Sequence, residues 1–478
     1  MKTRLETDSL GQYEVPSNAY FGIQTQRAVE NFRVSGFRAH PGLIAAMGMI
    51  KKAAAMTNRE LKLIDGKRAN VIARAAGEVM EGKWNGQFVV DVYQAGAGVS
   101  FHMNANEVIA NRAIELLGGK RGDYALCHPN DHVNCSQSTN DVFPTAMRLA
   151  SVFLIDDVIR AVALLAESFS RKAWAFDRIL KSGRTHLMDA VPIRLGQEFA
   201  AYATSMKRCE GVLEDALGLL KEVGLGGSAV GTGVNTHPKF QKLVVKHLSK
   251  ISEQVLRPTD DLRYAMQSNL AMSVASSALR NLALELIRIS NDIRLLSSGP
   301  NTGLAEIELP ALQPGSSIMP GKINPVMAEL TAMVGFQAIG ADMVTAMAVQ
   351  AGQLELNVMM PAMAWNVLHS AEILKNTMHA LTSKCVDGIS AKEERCNYYA
   401  NATISIAAAL NPYIGYTAAA EIAKESVKTG RPVAEIALEK NLLDERTLRE
   451  ILDPMRMTTP TAPIKQPSQK PKRKMGRS

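Results

Sequence analysis

Residues 260–298 read DDLRYAMQSNLAMSVASSALRNLALELIRISNDIRLLSS, and this stretch decides the fold. Leu262, Met266, Leu270, Met272, Val274, Leu279, Leu282, Leu284, Leu286, Ile287 and Ile293 recur on one broad face, with no proline or glycine between them. Apolar residues at three- and four-residue spacing predict an amphipathic helix, and one of this length belongs to a helical bundle. Outward from it, similar runs cover 141–180, 195–222, 326–350 and 354–384, the last kinked or restarted at Pro361. The chain therefore reads as mainly α, with five long helices in the middle.

The breaks between these runs, at 182–184, 224–238 and 299–322, hold most of the informative polar residues, as loops on a rigid scaffold do. The expected organisation is an N-terminal domain over 1–140, a central five-helix bundle over 141–395, a small helical C-terminal domain over 396–459 and a disordered tail over 460–478. Of the eight net positive charges in 478 residues, six lie in that tail, on Lys465, Lys470, Lys472, Arg473, Lys474 and Arg477. With four prolines among them the tail is expected to be solvated, and nucleic acid is an unlikely partner. The opening residues MKTRLE lack a secretory apolar segment, and the uncharged run 396–420 is broken by asparagines and Pro412, so a soluble cytoplasmic protein is expected. Five scattered cysteines without a C-x-x-C pattern are expected to be free thiols.

The most informative loop is 315–325, GSSIMPGKINP. Its glycines and prolines forbid a continuing helix, and between them stand two hydroxyls, an ammonium and an amide. Lys322 and Asn324 suit one carboxylate, Ser316 or Ser317 the adjoining carbon, and the glycines a closing lid. Three further clusters accompany it: Gln137-Ser138-Thr139-Asn140-Asp141 at a predicted helix start, Gly183-Arg184-Thr185-His186, and Gln94-Ala95-Gly96-Ala97-Gly98-Val99-Ser100. Each also has an ordinary structural reading, as an N-cap cluster, a hydrogen-bonded histidine and a glycine turn.

The string GSSIMPGKINP resembles the signature loop of the fumarase/aspartase superfamily, which cleaves a C–N or C–O bond β to a carboxylate and releases fumarate. The resemblance runs from GQYEVP at 11–16 to NPYIGY at 411–416. It implies a fumarase/aspartase-like fold and a homotetramer in which each active site draws loops from three subunits. It also implies Ser316 as the general base, with Ser138, Thr139 and Ser317 on the β-carboxylate and Lys322, Asn324 and Thr185 on the α-carboxylate. Asn140 and His186 would meet the leaving amine, and Glu329 would pair with His186.

No organic cofactor is implied; divalent metals activate some relatives, and the sequence holds no metal-ligand cluster. One departure stands out: the family usually has threonine where Val99 lies, and Ser100 is the nearest hydroxyl that could substitute. Within the family QSTND, His132, Tyr413 and QLELNVM at 353–359 are aspartase-like, while DVFPTAM at 141–147 and NTHP at 235–238 are fumarase-like. The resemblance therefore implies loss of ammonia from a small dicarboxylic amino acid, L-aspartate, with L-malate or another β-substituted acid as the alternative. A purely structural, crystallin-like role would predict loss of the site residues, and Ser316, Lys322, Asn324 and His186 all stand.

Overall fold

The computed structural model describes residues 2–462; the basic tail expected from 460 lies, from 463 onward, outside the described residues. The fold is mainly α. A hairpin of β1 (Thr3–Asp8) and β2 (Gly11–Pro16) opens the chain, followed by α1 (Ile23–Asn31), α2 (Pro41–Glu60), α3 (Gly66–Met80) and α4 (Val99–Leu116). The long α5 (Thr139–Ala175) leads to a second hairpin, β3 (Leu180–Thr185) with β4 (Met188–Arg194). Then come α6 (Leu195–Leu220), α7 (Phe240–Ser252), α8 (Leu262–Gln267), α9 (Leu270–Leu296), α10 (Val326–Gln350) and α11 (Met360–Lys384). Five short helices close the chain: α12 (Glu393–Ala402), α13 (Asn411–Ile414), α14 (Tyr416–Thr429), α15 (Val433–Glu439) and α16 (Glu445–Ile451).

The described chain divides into two compact units. Among the described residues, the first holds those up to 164, 206–288 and 330–379, and the second holds 165–205, 289–329 and those from 380 to 462. The expected boundaries at 140 and 395 are sequential, whereas these units interleave along the chain.

In the first unit, α2 packs on α3 and α7, and α3 on α4. The Gly335 position of α10 lies against Ile287 of α9, where an added Cβ would meet the isoleucine Cγ1 at 2.6 Å, so only glycine allows this approach. The N-terminus of α1 is capped from outside: the buried Glu107 of α4 accepts from the amides of Gly22, Gln24 and Thr25 and from Thr25 Oγ1, and Glu6 accepts from Ile23 N. Carboxylates suit the positive end of a helix. Burial and the neighbouring Glu6 nonetheless push the Glu107 carboxyl up to about 7.

In the second unit, Phe169 of α5 meets Tyr202 of α6 edge to face and Phe199 at a tilt, and Phe176, just past the end of α5, meets Phe199 edge to face. A separate apolar cluster around Leu410, Ile422, Ile436, Leu448 and Ile451 gives the C-terminal helices a core of their own.

Two expectations about elements need correction. The run 260–298 is not one helix: Ser268 is extended, and Asn269 begins α9, its carbonyl accepting from Met272 N. The polar Ser-Asn pair favours a cap over a continuing turn. The break at 182–184 is a strand, half of the β3–β4 hairpin. By contrast, α10 spans the expected residues, and α11 restarts with Pro361 in its first turn, where a missing N–H costs nothing. The five cysteines are free thiols.

Candidate active site

In the first unit the cluster 137–141 sits where α5 begins. Ser138 behaves as an N-cap: its Oγ accepts from Asn140 N at 3.3 Å, and its own N–H donates to Asp141 Oδ1 at 2.9 Å. This reciprocal pair is the local reason the helix starts here. The other oxygen of Asp141 accepts from Gly226 N at 2.9 Å and Ser228 N at 3.1 Å, while Asn140 Nδ2 donates to Ala229 O at 2.8 Å. The glycine-rich loop after α6 is thereby clamped to the start of α5. Burial raises the Asp141 carboxyl to about 6 despite its three backbone donors.

Thr139 is buried, and its Oγ1 lies 2.6 Å from Nδ1 of His102. His102 Nε2 is in turn 2.6 Å from the ammonium of Lys51. Sequence reading missed both residues. Their signal was present: a lysine inside the apolar stripe of α2 and a histidine in the run FHMNANEV occupy core positions. Ser100, in the first turn of α4, is half-buried, and Val99 beside it is 41% exposed.

In the second unit, Thr185 and His186 stand at the tip of the β3–β4 hairpin, both exposed. Thr185 pairs with Met188, so His186 and Leu187 form a two-residue turn with φ of 57° and 61°. Two positive φ values define a type I′ turn, which normally calls for Asn-Gly. Histidine in this strained conformation is held outward at a fixed point. The hairpin is rooted by a buried ionic cluster: Glu306 is fully buried and takes Arg184 Nη1 at 2.9 Å and Lys181 Nζ at 3.2 Å, and Lys181 also reaches Glu198 at 2.9 Å. These supporting charges were also missed, because no local pattern links 181–184 to 306.

The loop 315–325 belongs to the same unit. Gly315 N donates to Lys322 O, and Asn324 Nδ2 donates back to Gly315 O, both at 2.8 Å, which closes the loop at its base. A Cβ on Gly315 would stand 2.5 Å from Lys322 O, so the closure requires glycine. At its tip the Ser316 Oγ accepts from the amides of Ile318 at 3.2 Å and Met319 at 3.0 Å. Two N–H groups aimed at one hydroxyl oxygen favour its charged form. Ser317, Ile318, Met319 and Lys322 are exposed, and Ser316 and Asn324 are half-buried.

The candidate residues therefore fall into two groups. Ser100, Ser138, Thr139 and Asn140 lie in the first unit; Thr185, His186, Ser316, Ser317, Lys322, Asn324 and Glu329 lie in the second. Among the described residues no hydrogen bond or ion pair within the chain joins Glu329 to His186, and no three His, Cys, Asp or Glu side chains converge as a metal cluster.

Comparison with known proteins places this arrangement. Residues 11–340 match the family described as Lyase, and residues 406–459 match Fumarase C C-terminus. The chain belongs to the fumarase/aspartase superfamily and is a lyase. It is 47% identical to the aspartate ammonia-lyase of Bacillus subtilis (strain 168), covering 96% of each chain. It is 48% identical to the fumarate hydratase class II of Halobacterium salinarum, covering 95% of this chain and 97% of that one. A crystal structure of fumarate lyase:delta crystallin from Brucella melitensis bound to cobalt superposes with a TM-score of 0.92 at 48% identity, over 96% of this chain and 100% of that one.

Proposed function

We propose that the chain is an aspartate ammonia-lyase that converts L-aspartate reversibly to fumarate and ammonia by anti elimination. The observation that carries the chemistry is Ser316, whose Oγ accepts two lid amides. Serine is a weak base at neutral pH, and this pair of donors favours the alkoxide that the reaction needs. Ser316 takes the Cβ proton, and the electron pair left behind is delocalised into the β-carboxylate as an aci-carboxylate. Collapse of that intermediate forms the double bond and expels the amine with its bonding pair.

The β-carboxylate carries the developing charge, and Ser138, Thr139 and Ser317 are the donors assigned to it. The start of α5 adds its own positive end. Lys322, Asn324 and Thr185 hold the α-carboxylate, Asn140 and His186 the departing amine, and Ser100 supplements the pocket where Val99 offers no hydroxyl. Glu329 meets His186 from another copy.

That last contact requires assembly, which the proposal takes to be a homotetramer with sites shared between three subunits. Support comes from α10, whose Met333, Phe336, Met343, Val344 and Met347 expose a continuous apolar stripe in the single chain, each at least 45% exposed. The proposal includes no organic cofactor and leaves divalent cations as activators rather than catalysts. It places the enzyme in the cytoplasm, without membrane or nucleic-acid partners, and divides the chain at 140, 395 and 459.

A second reading, fumarate hydratase, is favoured by the 48% identity to the Halobacterium enzyme. Absorbance of fumarate formed separately from L-aspartate and L-malate decides between them. Aspartate-dependent fumarate with matching ammonia is expected; malate-only turnover overturns the first reading in favour of the second.

A further inference from the structure

Lys51 lies in α2 with no solvent exposure, and its nitrogen has three partners: His102 Nε2 at 2.6 Å, Asn134 Oδ1 at 3.0 Å and Gln137 Oε1 at 3.0 Å. The two amides are fixed as acceptors, because their nitrogens are used elsewhere. Asn134 Nδ2 donates to Gln137 O, and Gln137 Nε2 donates to Val133 O and Cys135 O. An ammonium has three hydrogens and no lone pair. A charged Lys51 must therefore donate to His102 Nε2, which leaves the ring proton on Nδ1, where it is donated to Thr139 Oγ1 2.6 Å away. The one hydrogen of Thr139 is then directed out of the network.

A neutral Lys51 reverses every bond in the row. Its two hydrogens go to Asn134 and Gln137, and its lone pair accepts from Nε2–H of His102. Nδ1 becomes the acceptor, and it takes the hydrogen of Thr139. The row holds its geometry and changes only its polarity.

We propose that Lys51 and His102 are positioning residues forming a proton-sensing relay, which sets whether Thr139 donates its hydrogen bond to the substrate carboxylate. The inference rests on the reading of Thr139 as a carboxylate contact. The titratable groups around Lys51 are His102 from α4 and Asp141 from α5, whose charge favours the ammonium. Cys135, on the segment that supplies the two amides, has its Sγ on Ser136 Oγ. Burial holds both Lys51 and His102 well below their ordinary values. His102 thus stays neutral and changes tautomer, while Lys51 loses its proton at lower pH than an exposed lysine does. Thr139 is a donor on the acid side of that transition and is withdrawn on the alkaline side.

The test is magic-angle-spinning 15N spectroscopy of the full-length, histidine-labelled protein over about pH 6 to 10, a window spanning ordinary His and Lys values. The His102 signals are identified by their loss in His102→Gln or His102→Asn. The expected result is an Nδ1–H tautomer at low pH that becomes Nε2–H at high pH, with the conversion absent in Lys51→Met. Over the same interval KM for L-aspartate should rise on the order of 10-fold, the worth of one good hydrogen bond, with kcat changing less. A single tautomer throughout overturns the relay, as does a conversion that survives in Lys51→Met. The wild-type titration decides even where Lys51→Met does not fold. Absence of turnover on both aspartate and malate overturns the functional reading instead, and the tautomer measurement then stands as the separate test of the relay.

Discussion

The start of α5 in the first unit and the loop 315–325 in the second, the proposed carboxylate corner and lid, are built on opposite terms. At 138–141 the polar groups are buried or half-buried, and three of the four are tied to distant parts of the unit: Asn140 to Ala229, Asp141 to the loop at 226–228, and Thr139 to His102 and through it to Lys51. At 315–325 the bonds are local, loop to itself, and the tip is exposed. A hydroxyl that only binds charge gains from rigid surroundings. A base that must arrive after the substrate gains from a loop that carries its own activating amides with it. On the proposed mechanism, the loop would act as a self-contained catalytic group and the start of α5 as a fixed socket.

The sharpest way to break this contrast is Ser316→Ala. Turnover should fall by about 10³-fold, within the span of a lost general base, while circular dichroism and oligomer mass stay unchanged. A loss of structure would mean that the lid is not self-contained. Next in size is Glu306→Gln, which leaves Lys181 and Arg184 short of a buried counter-charge. Chemical denaturation should register a cost of about 3 kcal/mol. A change below about 0.5 kcal/mol would show that Glu198 alone suffices as the partner of Lys181.

Glu107 gives a pH test of the buried half. Its carboxyl is raised from 4.5 to about 7, so folding favours the protonated form. Its contribution is complete below about 4.5 and disappears as pH rises towards about 7, about 3 kcal/mol in all. The measured slope of unfolding free energy in that window should flatten in Glu107→Gln. An unchanged slope would assign the pH dependence to another group.

How much of this was legible in the sequence depended on whether the cause was local. The span of α10, the restart at Pro361 and the capped start of α5 follow from apolar spacing, proline and Ser-x-x-Asp, all readable within a few residues. The break at 268–269 was also local, but a polar pair competed with a strong apolar period and won. The β3–β4 hairpin was hidden because its turn is His-Leu rather than a glycine-bearing pair. Lys51 with His102, and Arg184 with Glu306, are separated by 51 and 122 residues, and only the folded chain brings such charges together. The loop residues left Ser316 and Ser317 as alternatives and the family resemblance implied Ser316, but the two amides that cradle its oxygen are visible only in the folded loop.

Two smaller effects sharpen the contrast further. Val99→Thr adds a hydroxyl at the start of α4, and aspartate turnover should rise about 5-fold, the worth of roughly 1 kcal/mol. An equal or lower rate would mean that the native pocket already compensates. Leu187→Gly relieves one left-handed residue at the hairpin tip and should stabilise the fold by up to about 1 kcal/mol. If thermal unfolding shows no gain, the tip carries no strain in solution.

The open stripe on α10 has a consequence in redox chemistry. Three of its exposed members, Met333, Met343 and Met347, are thioethers, and oxidation converts each into a polar, chiral sulfoxide. If the proposed homotetramer buries this stripe, a chain oxidised there before assembly would present a wet surface where a dry one is needed. Methionine sulfoxide reduction would then determine how much newly made protein becomes competent to assemble.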